Sequence, residues 1–519
     1  MKRDDMLRRI QTDQEGWDFI VIGGGATGLG VAIEAASRGY RTLLLEQSDF
    51  AKGTSSRSTK LVHGGVRYLQ QGNVSLVLEA LKERGLLHQN APHLVSNLKF
   101  VVPNYDWWEG PFYGVGLKLY DMLAGRQGFG NSRRLTKEET LDHIPTVETD
   151  GLRGGVVYHD GQFDDARLAV NMAQTAADQG ATVLNYLQVT DLQKVNGMVK
   201  GVTAVDEETG QPYDLFGRVV VNATGPFADD IRKMDNPGDA RMIKPSQGVH
   251  IVLDRAFLPG DSAIMVPHTA DGRVLFAIPW HDRVVVGTTD TPIEETSLEP
   301  RPLKEELDFL LEHAARYLTQ DPVESDVLSA FAGIRPLVSP EGEQDTAAIS
   351  RDHTIHISRA GLVTIAGGKW TTYRKMAEDT VDQAATLGGL PEKESVTRTL
   401  QIHGYHQQAE QFGDLAPYGA DAVAIRDLIA EDHQLEDLIH PDSSILAAQV
   451  VWAVRHEMAR TVEDFLARRT RMLLLDARRS VEMATKVADL MARELGEGRS
   501  WKKQQVEEYS NLARGYLLE

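Results

Sequence analysis

The chain has 519 residues, more than one ordinary core can bury, so about two or three domains are expected. Its formal net charge of −20 disfavours nonspecific nucleic-acid binding and requires a local basic cluster to capture any anionic substrate. It contains no cysteine, which excludes disulfides, thiolate metal sites and dithiol redox enzymes.

Residues 1–16 are charged and lack the apolar core of a signal peptide, so we expect a cytoplasmic protein. No stretch approaches the roughly 20 apolar residues of a membrane span, and no histidine spacing indicates a metal site. Two basic segments could contact lipid. Residues 2–10 could instead be a disordered tail, and residues 468–475 a buried helix.

Residues 17–46 have the pattern of a strand, a glycine turn, a helix and a second strand. Residues 17–22 are apolar apart from Asp18, as in a buried parallel strand. Gly23 permits the tight turn, Gly25 permits close approach of a pyrophosphate, and Gly28 lets the helix lie close to the sheet.

The following helix begins at Ala26 and Thr27, where its free N–H groups and positive dipole end can face phosphates. The second strand ends at Glu46, whose carboxylate can accept hydrogen bonds from a ribose diol. The same charge repels a 2′-phosphate, which disfavours NADP. This segment therefore predicts a dinucleotide site.

The middle of the chain mixes strands and helices. We predict strands at 156–158, 182–187 and 218–221, a helix at 164–178, and an antiparallel sheet from four strands between 250 and 286. Asp271-Gly272 predicts a hairpin turn within that sheet. A helix at 303–318 and a strand at 362–366 follow, and residues 401–519 are helical, with Ser443 or Ser444 as one helix cap.

Two later glycine motifs follow predicted strands, Ala223-Thr224-Gly225 and Gly367-Gly368-Lys369. The carboxyl ends of parallel strands converge on the ligand crevice of such folds. Each motif alone fits an ordinary turn equally well. Together they favour FAD over a nicotinamide cofactor, because several segments contact the longer FAD molecule.

Residues 53–68 are rich in hydroxyls and glycine. Such a segment can bind phosphate and flavin polar atoms, or can be a solvated loop. With six further motifs in chain order, it resembles the signatures of FAD-dependent glycerol-3-phosphate dehydrogenases. The motifs are Lys60-Leu61-Val62-His63-Gly64-Gly65-Val66-Arg67-Tyr68, Asn222-Ala223-Thr224-Gly225-Pro226, Ile278-Pro279-Trp280, Gly287-Thr288-Thr289-Asp290, Gly333-Ile334-Arg335-Pro336-Leu337, Ser350-Arg351-Asp352 and Gly368-Lys369-Trp370-Thr371-Thr372-Tyr373-Arg374.

This resemblance covers roughly residues 17–385 and, less specifically, the helical C-terminus. It implies an α/β fold in which a Rossmann-like FAD-binding domain carries an inserted antiparallel-sheet substrate domain and a C-terminal all-helical cap domain. The expected divisions are a polar extension at 1–16, FAD-binding segments at 17–105, 150–245 and 350–388, substrate-binding segments at 106–149 and 246–349, and the cap at 400–519.

The resemblance also implies non-covalent FAD and oxidation of sn-glycerol 3-phosphate to dihydroxyacetone phosphate by hydride transfer from C2. A membrane quinone would reoxidise the cofactor, at the inner face of the cytoplasmic membrane. Nucleic acid is not an expected partner, and a homodimer is left open.

The predicted cofactor contacts are spread over the motifs. They are Gly23, Gly25, Ala26, Thr27, Gly28, Glu46, Thr54, Ser55, Ser56, Ser58, Lys60, His63, Gly64, Gly65, Ala223, Thr224, Gly225, Gly333, Gly368, Lys369 and Thr371.

A phosphate near neutral pH is best bound by a bidentate cationic donor. Arg335 is the first candidate, since Pro336 restricts its backbone. The family pattern adds further predicted substrate contacts, namely Arg67, Tyr68, His250, Asp271, Arg351 and Lys369. Asp271 has a sufficient structural reason in its turn.

The predicted catalytic residues are His250 and Arg335. His250 is the first candidate base for the C2 hydroxyl, because imidazole titrates in the useful range. His63 is the second candidate, with a flavin hydrogen bond as its other role.

Three alternatives remain. A glycerol-3-phosphate oxidase would use oxygen and form peroxide. An amine or amino-acid oxidase would need one arginine for a carboxylate. A non-enzymatic flavoprotein could bind partners through the helical C-terminus.

Overall fold

The computed structural model describes residues 1–13, 15–65, 73–106, 109–125, 128–267, 269, 274–338 and 352–518. The strands are β1 (Trp17–Ile22), β2 (Thr42–Leu45), β3 (Leu61–Val62), β4 (Val95–Asn104), β5 (Arg133–Leu135), β6 (Gly154–Phe163), β7 (Thr182–Leu184), β8 (Leu187–Val195), β9 (Met198–Asp206), β10 (Pro212–Asn222), β11 (Ile243–Asp254), β12 (Ser262–Val266), β13 (Leu275–Trp280), β14 (Arg283–Gly287), β15 (Thr291–Pro292), β16 (Ser329–Val338), β17 (His353–Ile357) and β18 (Val363–Gly367).

The helices are α1 (Arg3–Thr12), α2 (Ala26–Ser37), α3 (Val74–Asn90), α4 (Glu109–Ala124), α5 (Lys137–His143), α6 (Asp165–Asp178), α7 (Ala228–Asp235), α8 (Lys304–Ala315), α9 (Tyr373–Leu387), α10 (Asp421–Glu431), α11 (Ala447–His456), α12 (Met472–Leu475), α13 (Ala477–Leu495) and α14 (Arg499–Arg514). A π-helical turn spans Asp464–Arg469 before α12.

The first sheet has the strand order β17-β18-β10-β1-β2-β7. β18, β10, β1, β2 and β7 run parallel, and β17 is antiparallel. The apolar side chains of β1 and β2 are fully buried because helices, among them α2, α6 and α9, cover the sheet. β8 and β9 extend β10 as an antiparallel meander. This is the predicted Rossmann-like domain.

The second sheet has the order β15-β11-β14-β13-β12-β4-β6-β3, with β16 paired to β11 and β5 to β6. Its pairs are antiparallel apart from β12 with β4. The predicted α/β fold with an antiparallel insertion is therefore confirmed. The predicted divisions place β4 and β6 in the FAD-binding segments, whereas both strands lie in this second sheet. An apolar run does not identify the sheet in which its distant pairing partner lies.

The N-terminal segment is not a disordered tail. α1 buries Met6 and Ile10, which are 5% and 6% exposed, and Arg3 forms an ion pair with Asp206 at 3.1 Å. The apolar residues that a lipid-binding helix would need therefore pack against the protein itself. Residues 468–475 are also buried, as the helix alternative expected.

The C-terminal helices bury a core of their own, which also packs against Val252, Val285 and Phe331 of the second sheet. The predicted serine cap is wrong. α11 begins at Ala447, and Gln449 Oε1 accepts a hydrogen bond from the Leu446 backbone N–H at 2.7 Å. In the described part of the chain, no helix is both long and apolar enough to cross a membrane.

Candidate active site

A cleft opens at the carboxyl ends of β1, β2, β10 and β18. It holds about 1350 Å³ of space not filled by atoms, part of it open to solvent. Many predicted cofactor residues line it, namely Gly23, Gly25, Ala26, Thr27, Glu46, Thr54, Ser55, Ala223, Thr224, Gly225, Gly368 and Lys369. Parallel strand order thus brings together motifs that are more than 300 residues apart in sequence.

The first glycine turn has the geometry that close packing requires. Gly23 has φ +108°, and a Cβ there would lie 2.7 Å from the Ala223 carbonyl oxygen. A Cβ on Gly28 would lie 1.9 Å from the Gly23 carbonyl oxygen. At Gly25, by contrast, a Cβ would meet only Ser55 Oγ, at 3.2 Å. The backbone at Gly25 therefore faces open space at the start of α2, where a phosphate can approach.

Glu46 ends β2 and lines the cleft beside this turn. Its carboxylate accepts hydrogen bonds from the Gly24 N–H at 2.6 Å and the Ser48 N–H at 2.9 Å. Burial raises the pKa of Glu46 by more than these two hydrogen bonds lower it, so the pKa lies above its ordinary value. The backbone thus orients the carboxylate toward the cleft for the predicted ribose contact.

The hydroxyl-rich segment closes the cleft from the other side. Ser55 Oγ accepts from the Ala26 N–H at 2.9 Å, and Thr54 Oγ1 donates to the Ile334 carbonyl at 2.5 Å. Trp370 Nε1 donates to the Ser55 carbonyl at 2.9 Å. Trp370 lines the cleft and is a contact that the sequence prediction missed.

Other predicted residues of this segment have structural partners and do not line the cleft. Lys60 is fully buried, with Nζ 2.9 and 2.7 Å from the two carboxylate oxygens of Asp165. Ser58 donates to the same carboxylate at 2.7 Å. A Cβ on Gly64 would lie 2.4 Å from Leu81 Cδ2. Packing and a buried ion pair therefore account for these three motif residues.

The remaining predicted cofactor residues lie near the cleft and make contacts within the protein. The His63 N–H donates to Thr371 Oγ1 at 3.2 Å, and Ser56 is buried. Gly65 has φ +77°. A Cβ on Gly333 would lie 2.9 Å from the Arg57 carbonyl oxygen, so Gly333 lets β16 approach the hydroxyl-rich segment. None of these five predicted residues, Thr371 included, lines the cleft.

His250 and Arg335 lie on one face of the second sheet. His250 of β11 is paired with Phe331 of β16, and Ser246 with Arg335, so the four side chains share that face. A Cβ on Gly248 would lie 2.4 Å from Arg335 Nη2. Gly248 lies between Ser246 and His250 on this face. Because Gly248 has no side chain, the Arg335 guanidinium can occupy the space above it.

His250 is 2% exposed and stacks on Phe331 with ring centroids 4.9 Å apart. Its Nε2 lies 3.0 Å from Thr59 Oγ1, and its buried Nδ1 has no hydrogen-bond partner among the described residues. Burial, together with the charges of Lys60 and Arg335, holds the pKa of His250 well below its ordinary value. The imidazole is therefore neutral at neutral pH.

Arg335 forms an ion pair with Asp290, Nη1 to Oδ1, at 3.2 Å. Its Nη2 donates to Thr288 Oγ1 at 3.1 Å and to the Thr289 carbonyl at 3.0 Å. Its side chain remains 21% exposed. The next residue, Pro336, lines the cleft. Arg67, Tyr68, Asp271 and Arg351 lie outside the described residues.

Two family profiles match the chain. The profile described as FAD dependent oxidoreductase matches residues 18–374, and that of the C-terminal domain of alpha-glycerophosphate oxidase matches residues 363–506. The fold and the cleft therefore define a flavin-dependent oxidoreductase.

Relatives that match almost the whole of this chain narrow this class to one family. The chain is 40% identical to the mitochondrial glycerol-3-phosphate dehydrogenase of Homo sapiens over 99% of this chain and 75% of that protein. It is 41% identical to that of Arabidopsis thaliana over 94% of this chain and 85% of that protein. The chain belongs to the family of FAD-dependent glycerol-3-phosphate dehydrogenases.

Solved structures agree. The glycerol-3-phosphate dehydrogenase from Bacillus halodurans complexed with FAD has a TM-score of 0.81 and 30% identity, covering 99% of this chain and 97% of that chain. L-alpha-Glycerophosphate oxidase from Mycoplasma pneumoniae has a TM-score of 0.57 at 17% identity, covering 75% and 98% respectively. This second likeness concerns the fold alone.

Proposed function

We propose that the protein oxidises sn-glycerol 3-phosphate to dihydroxyacetone phosphate and passes the electrons to a membrane quinone. The observation that carries this proposal is similarity to glycerol-3-phosphate dehydrogenases along 99% of the chain. Bound FAD would supply the chemistry by accepting the hydride from C2 of the substrate. All other tasks fall to side chains and backbone groups of this chain.

The residues around the cleft fit FAD. The open backbone at Gly25 and the start of α2 would hold the pyrophosphate, and Glu46 would hold the adenosine ribose. The Thr224 and Gly368 turns at the other strand ends would contact the rest of the cofactor. Each of these segments borders the same cleft, which supports a ligand long enough to reach all of them.

The substrate would bind where the cleft meets the second sheet. Lys369 lines the cleft, and Arg335 stands beside cleft-lining Pro336. Their positive charges suit a phosphate dianion. The buried Nδ1 of His250 has no partner among the described residues, which supports a role as the hydrogen-bond partner of the substrate hydroxyl. We assign Arg67, Tyr68 and Arg351 to the same site from the motifs, and retain Asp271 as a predicted contact.

Anaerobic mixing of the purified holoenzyme with sn-glycerol 3-phosphate tests the substrate. We expect loss of oxidised-flavin absorbance and formation of one dihydroxyacetone phosphate per flavin. Glycerol, which lacks the phosphate, is the matched control and should not reduce the flavin. Reduction by an amino acid but not by glycerol 3-phosphate would replace this proposal with the amino-acid oxidase alternative.

The acceptor is tested in steady state by comparing a soluble quinone analogue without oxygen against oxygen alone. We expect fast turnover with the quinone and little hydrogen peroxide with oxygen. The opposite ratio would favour the oxidase. Peripheral attachment to the inner face of the cytoplasmic membrane is part of the proposal, because the acceptor is dissolved in lipid. A homodimer stays a prediction.

A further inference from the structure

Two neighbouring side chains fix the imidazole ring of His250. Phe331 stacks on it, with ring centroids 4.9 Å apart and ring planes inclined by 16°. Thr59 Oγ1 lies 3.0 Å from Nε2, within hydrogen-bond distance. A half turn of the ring about its Cβ–Cγ bond would preserve the stacking but would exchange Nε2 with a carbon atom. The hydrogen bond to Thr59 therefore defines the orientation of the ring.

The neighbouring strand agrees with this orientation. His250 of β11 pairs with Gly287 of β14, and a Cβ on Gly287 would lie 2.2 Å from His250 Cδ2. The Cδ2 edge of the ring therefore lies close against the backbone at Gly287, which has no side chain. Nδ1 lies on the opposite edge of the ring.

The Thr59 hydroxyl also bears on the proton that the ring carries. A neutral imidazole, such as that of His250, has one nitrogen that donates a hydrogen bond and one that accepts. The hydrogen bond made by one nitrogen decides which of the two carries the proton. If Nε2–H donates to Thr59 Oγ1, the lone pair of Nδ1 is left to accept a hydrogen bond from a substrate hydroxyl.

Thr59 is itself held in place by the next residue. Lys60 has φ +64°, a left-handed backbone conformation that is uncommon for a long side chain. Its Nζ donates to the Ser56 carbonyl at 2.6 Å and to the two carboxylate oxygens of Asp165 at 2.9 and 2.7 Å. Because these bonds are buried, they hold the strained backbone of Lys60 and with it the position of Thr59.

Lys60 contacts the aromatic neighbour of His250 as well. Its Nζ lies 5.0 Å from the centroid of the Trp280 ring and 5.3 Å from that of the Phe331 ring, both within cation–π range. Phe331 therefore contacts both the lysine and the imidazole. A single anchored residue thus supports both neighbours of His250, Thr59 through the chain and Phe331 through the ring contact.

We propose that Thr59 is a positioning residue for His250 in substrate oxidation. Its hydroxyl accepts the Nε2 hydrogen, which leaves the Nδ1 lone pair for the C2 hydroxyl of the substrate. This inference rests on the proposed function, in which that hydroxyl belongs to sn-glycerol 3-phosphate. Because Thr59 acts through the imidazole, its removal should impair the reaction step more than substrate binding.

Anaerobic stopped-flow reduction of the FAD-loaded, full-length enzyme by sn-glycerol 3-phosphate tests the proposal. The variant Thr59→Val keeps the shape of the side chain and removes the hydroxyl. We expect the limiting rate constant of flavin reduction to fall about 10- to 100-fold, because the reacting groups are no longer aligned. The substrate concentration at half-maximal rate should change by less than about twofold. Thr59→Ser keeps the hydroxyl and should restore most of the rate.

A double-mutant cycle shows whether Thr59 acts through His250. Thr59→Val should have no further effect on the residual reduction rate of His250→Ala. The control is Thr203→Val in β9, a half-buried threonine whose hydroxyl donates to Asp214 at 2.7 Å, and it should match the wild type. An equal fall from Thr59→Val in both backgrounds would overturn the proposal, and so would a wild-type rate in Thr59→Val itself.

Flavin content and the thermal midpoint are measured for every variant. If Thr59→Val does not retain FAD, Thr59→Ala removes the same hydroxyl with a smaller side chain and replaces it in the cycle, with the same expected results. If glycerol 3-phosphate does not reduce the wild type, the proposed function is wrong and the role of Thr59 falls with it. Normal reduction of the wild type together with an unimpaired Thr59 variant would overturn the positioning role alone.

Discussion

At the scale of single residues, His250 shows how burial changes the character of a side chain. A histidine whose pKa lies near neutral pH is the usual choice for a catalytic acid or base. Here burial and two neighbouring cations lower the pKa of His250, so it stays unprotonated below the ordinary histidine range. At neutral pH His250 is therefore an uncharged hydrogen-bonding group, and its Nδ1 has no partner among the described residues.

We predict that His250→Ala lowers kcat by about 10²–10⁴-fold, the range for loss of a positioned acid or base, with FAD content unchanged. Protonation of His250 should cause no fall in the wild-type kcat/KM as the pH is lowered through the ordinary histidine pKa of about 6.5. Stopped-flow flavin reduction over a pH series measures both. His356→Ala, an exposed histidine, should match the wild type. Full activity of His250→Ala would remove it from the site.

Arg335 has two candidate roles, phosphate binding and neutralisation of Asp290. We predict that Arg335→Ala weakens transition-state binding by about 2–5 kcal/mol, mainly as a higher KM, if its guanidinium contacts the substrate phosphate. Asp290→Asn separates the roles, because it removes the ion pair but leaves the cation. Equal kinetic effects of the two variants would make Arg335 structural. Arg316→Ala, in an exposed ion pair, is the matched control.

At the scale of elements, the turn after β1 and the helix α2 form a unit whose geometry depends on glycines, which have no side chain. Gly23 and Gly28 are in contact across the turn, and Ala223, directly after β10, packs against both. The start of α2 is thereby held against the sheet, with its N–H groups toward the cleft. The hydroxyl of Ser55 and the carboxylate of Glu46 bind two backbone N–H groups of the same unit.

We predict that Gly28→Ala abolishes stable FAD retention, because its Cβ would lie 1.9 Å from the Gly23 carbonyl oxygen and must push α2 away from the sheet. The ratio of flavin to protein absorbance after gel filtration measures the effect. Gly116→Ala places the same methyl group in a helix with no atom within 4 Å and should keep wild-type flavin content. Full flavin content in Gly28→Ala would contradict this account.

At the scale of the whole molecule, buried ion pairs join the helical C-terminus to the FAD-binding domain. Asp49 follows β2 and accepts hydrogen bonds from Arg469, at 2.6 and 2.9 Å, and from Arg468, at 2.5 Å. Both arginines belong to the π-helical turn. Burial would raise the pKa of Asp49, but Arg469 and Arg468 outweigh it and lower the pKa. The loop after Glu46 is therefore fixed from the C-terminal domain.

We predict that Asp49→Asn destabilises the protein by about 3–5 kcal/mol, because two buried arginines lose the carboxylate that they share. FAD affinity should fall as well, since residues 51–53 of this loop line the cleft. Thermal unfolding with and without added FAD measures both effects. Asp308→Asn, which breaks the exposed pair with Lys304, should change stability by less than about 0.5 kcal/mol. Equal effects of the two variants would contradict the prediction.

His403 makes a second connection between the FAD-binding domain and the C-terminal helices. Its Nδ1 is hydrogen-bonded to Asp178 of α6 at 2.6 Å, and its Nε2 to Asp421 of α10 at 3.0 Å. Burial lowers the pKa of His403, but the two carboxylates outweigh it and raise the pKa to about 9. A folded-state pKa above the unfolded value of about 6.5 means that the stabilisation is complete below about pH 6.5. It is lost as pH rises through about 9.

We therefore predict that His403→Gln is less stable than the wild type by roughly 1–2 kcal/mol at pH about 6, after allowance for partial exposure. The difference should vanish above pH about 9.5. Unfolding midpoints over a pH series measure this convergence. His433→Gln, an exposed histidine, should show no such trend. If the stability difference between the wild type and His403→Gln stays constant with pH, protonation of His403 does not contribute to stability.

The sequence by itself determined the dinucleotide fold, the FAD family and the set of candidate residues. These depend on local patterns, the apolar strand, the glycines at fixed offsets and the short motifs in order. Tertiary structure alone decided the rest, because it depends on contacts between distant segments. Lys60 meets Asp165 in a buried pair, β4 and β6 join the second sheet, and Trp370 reaches Ser55.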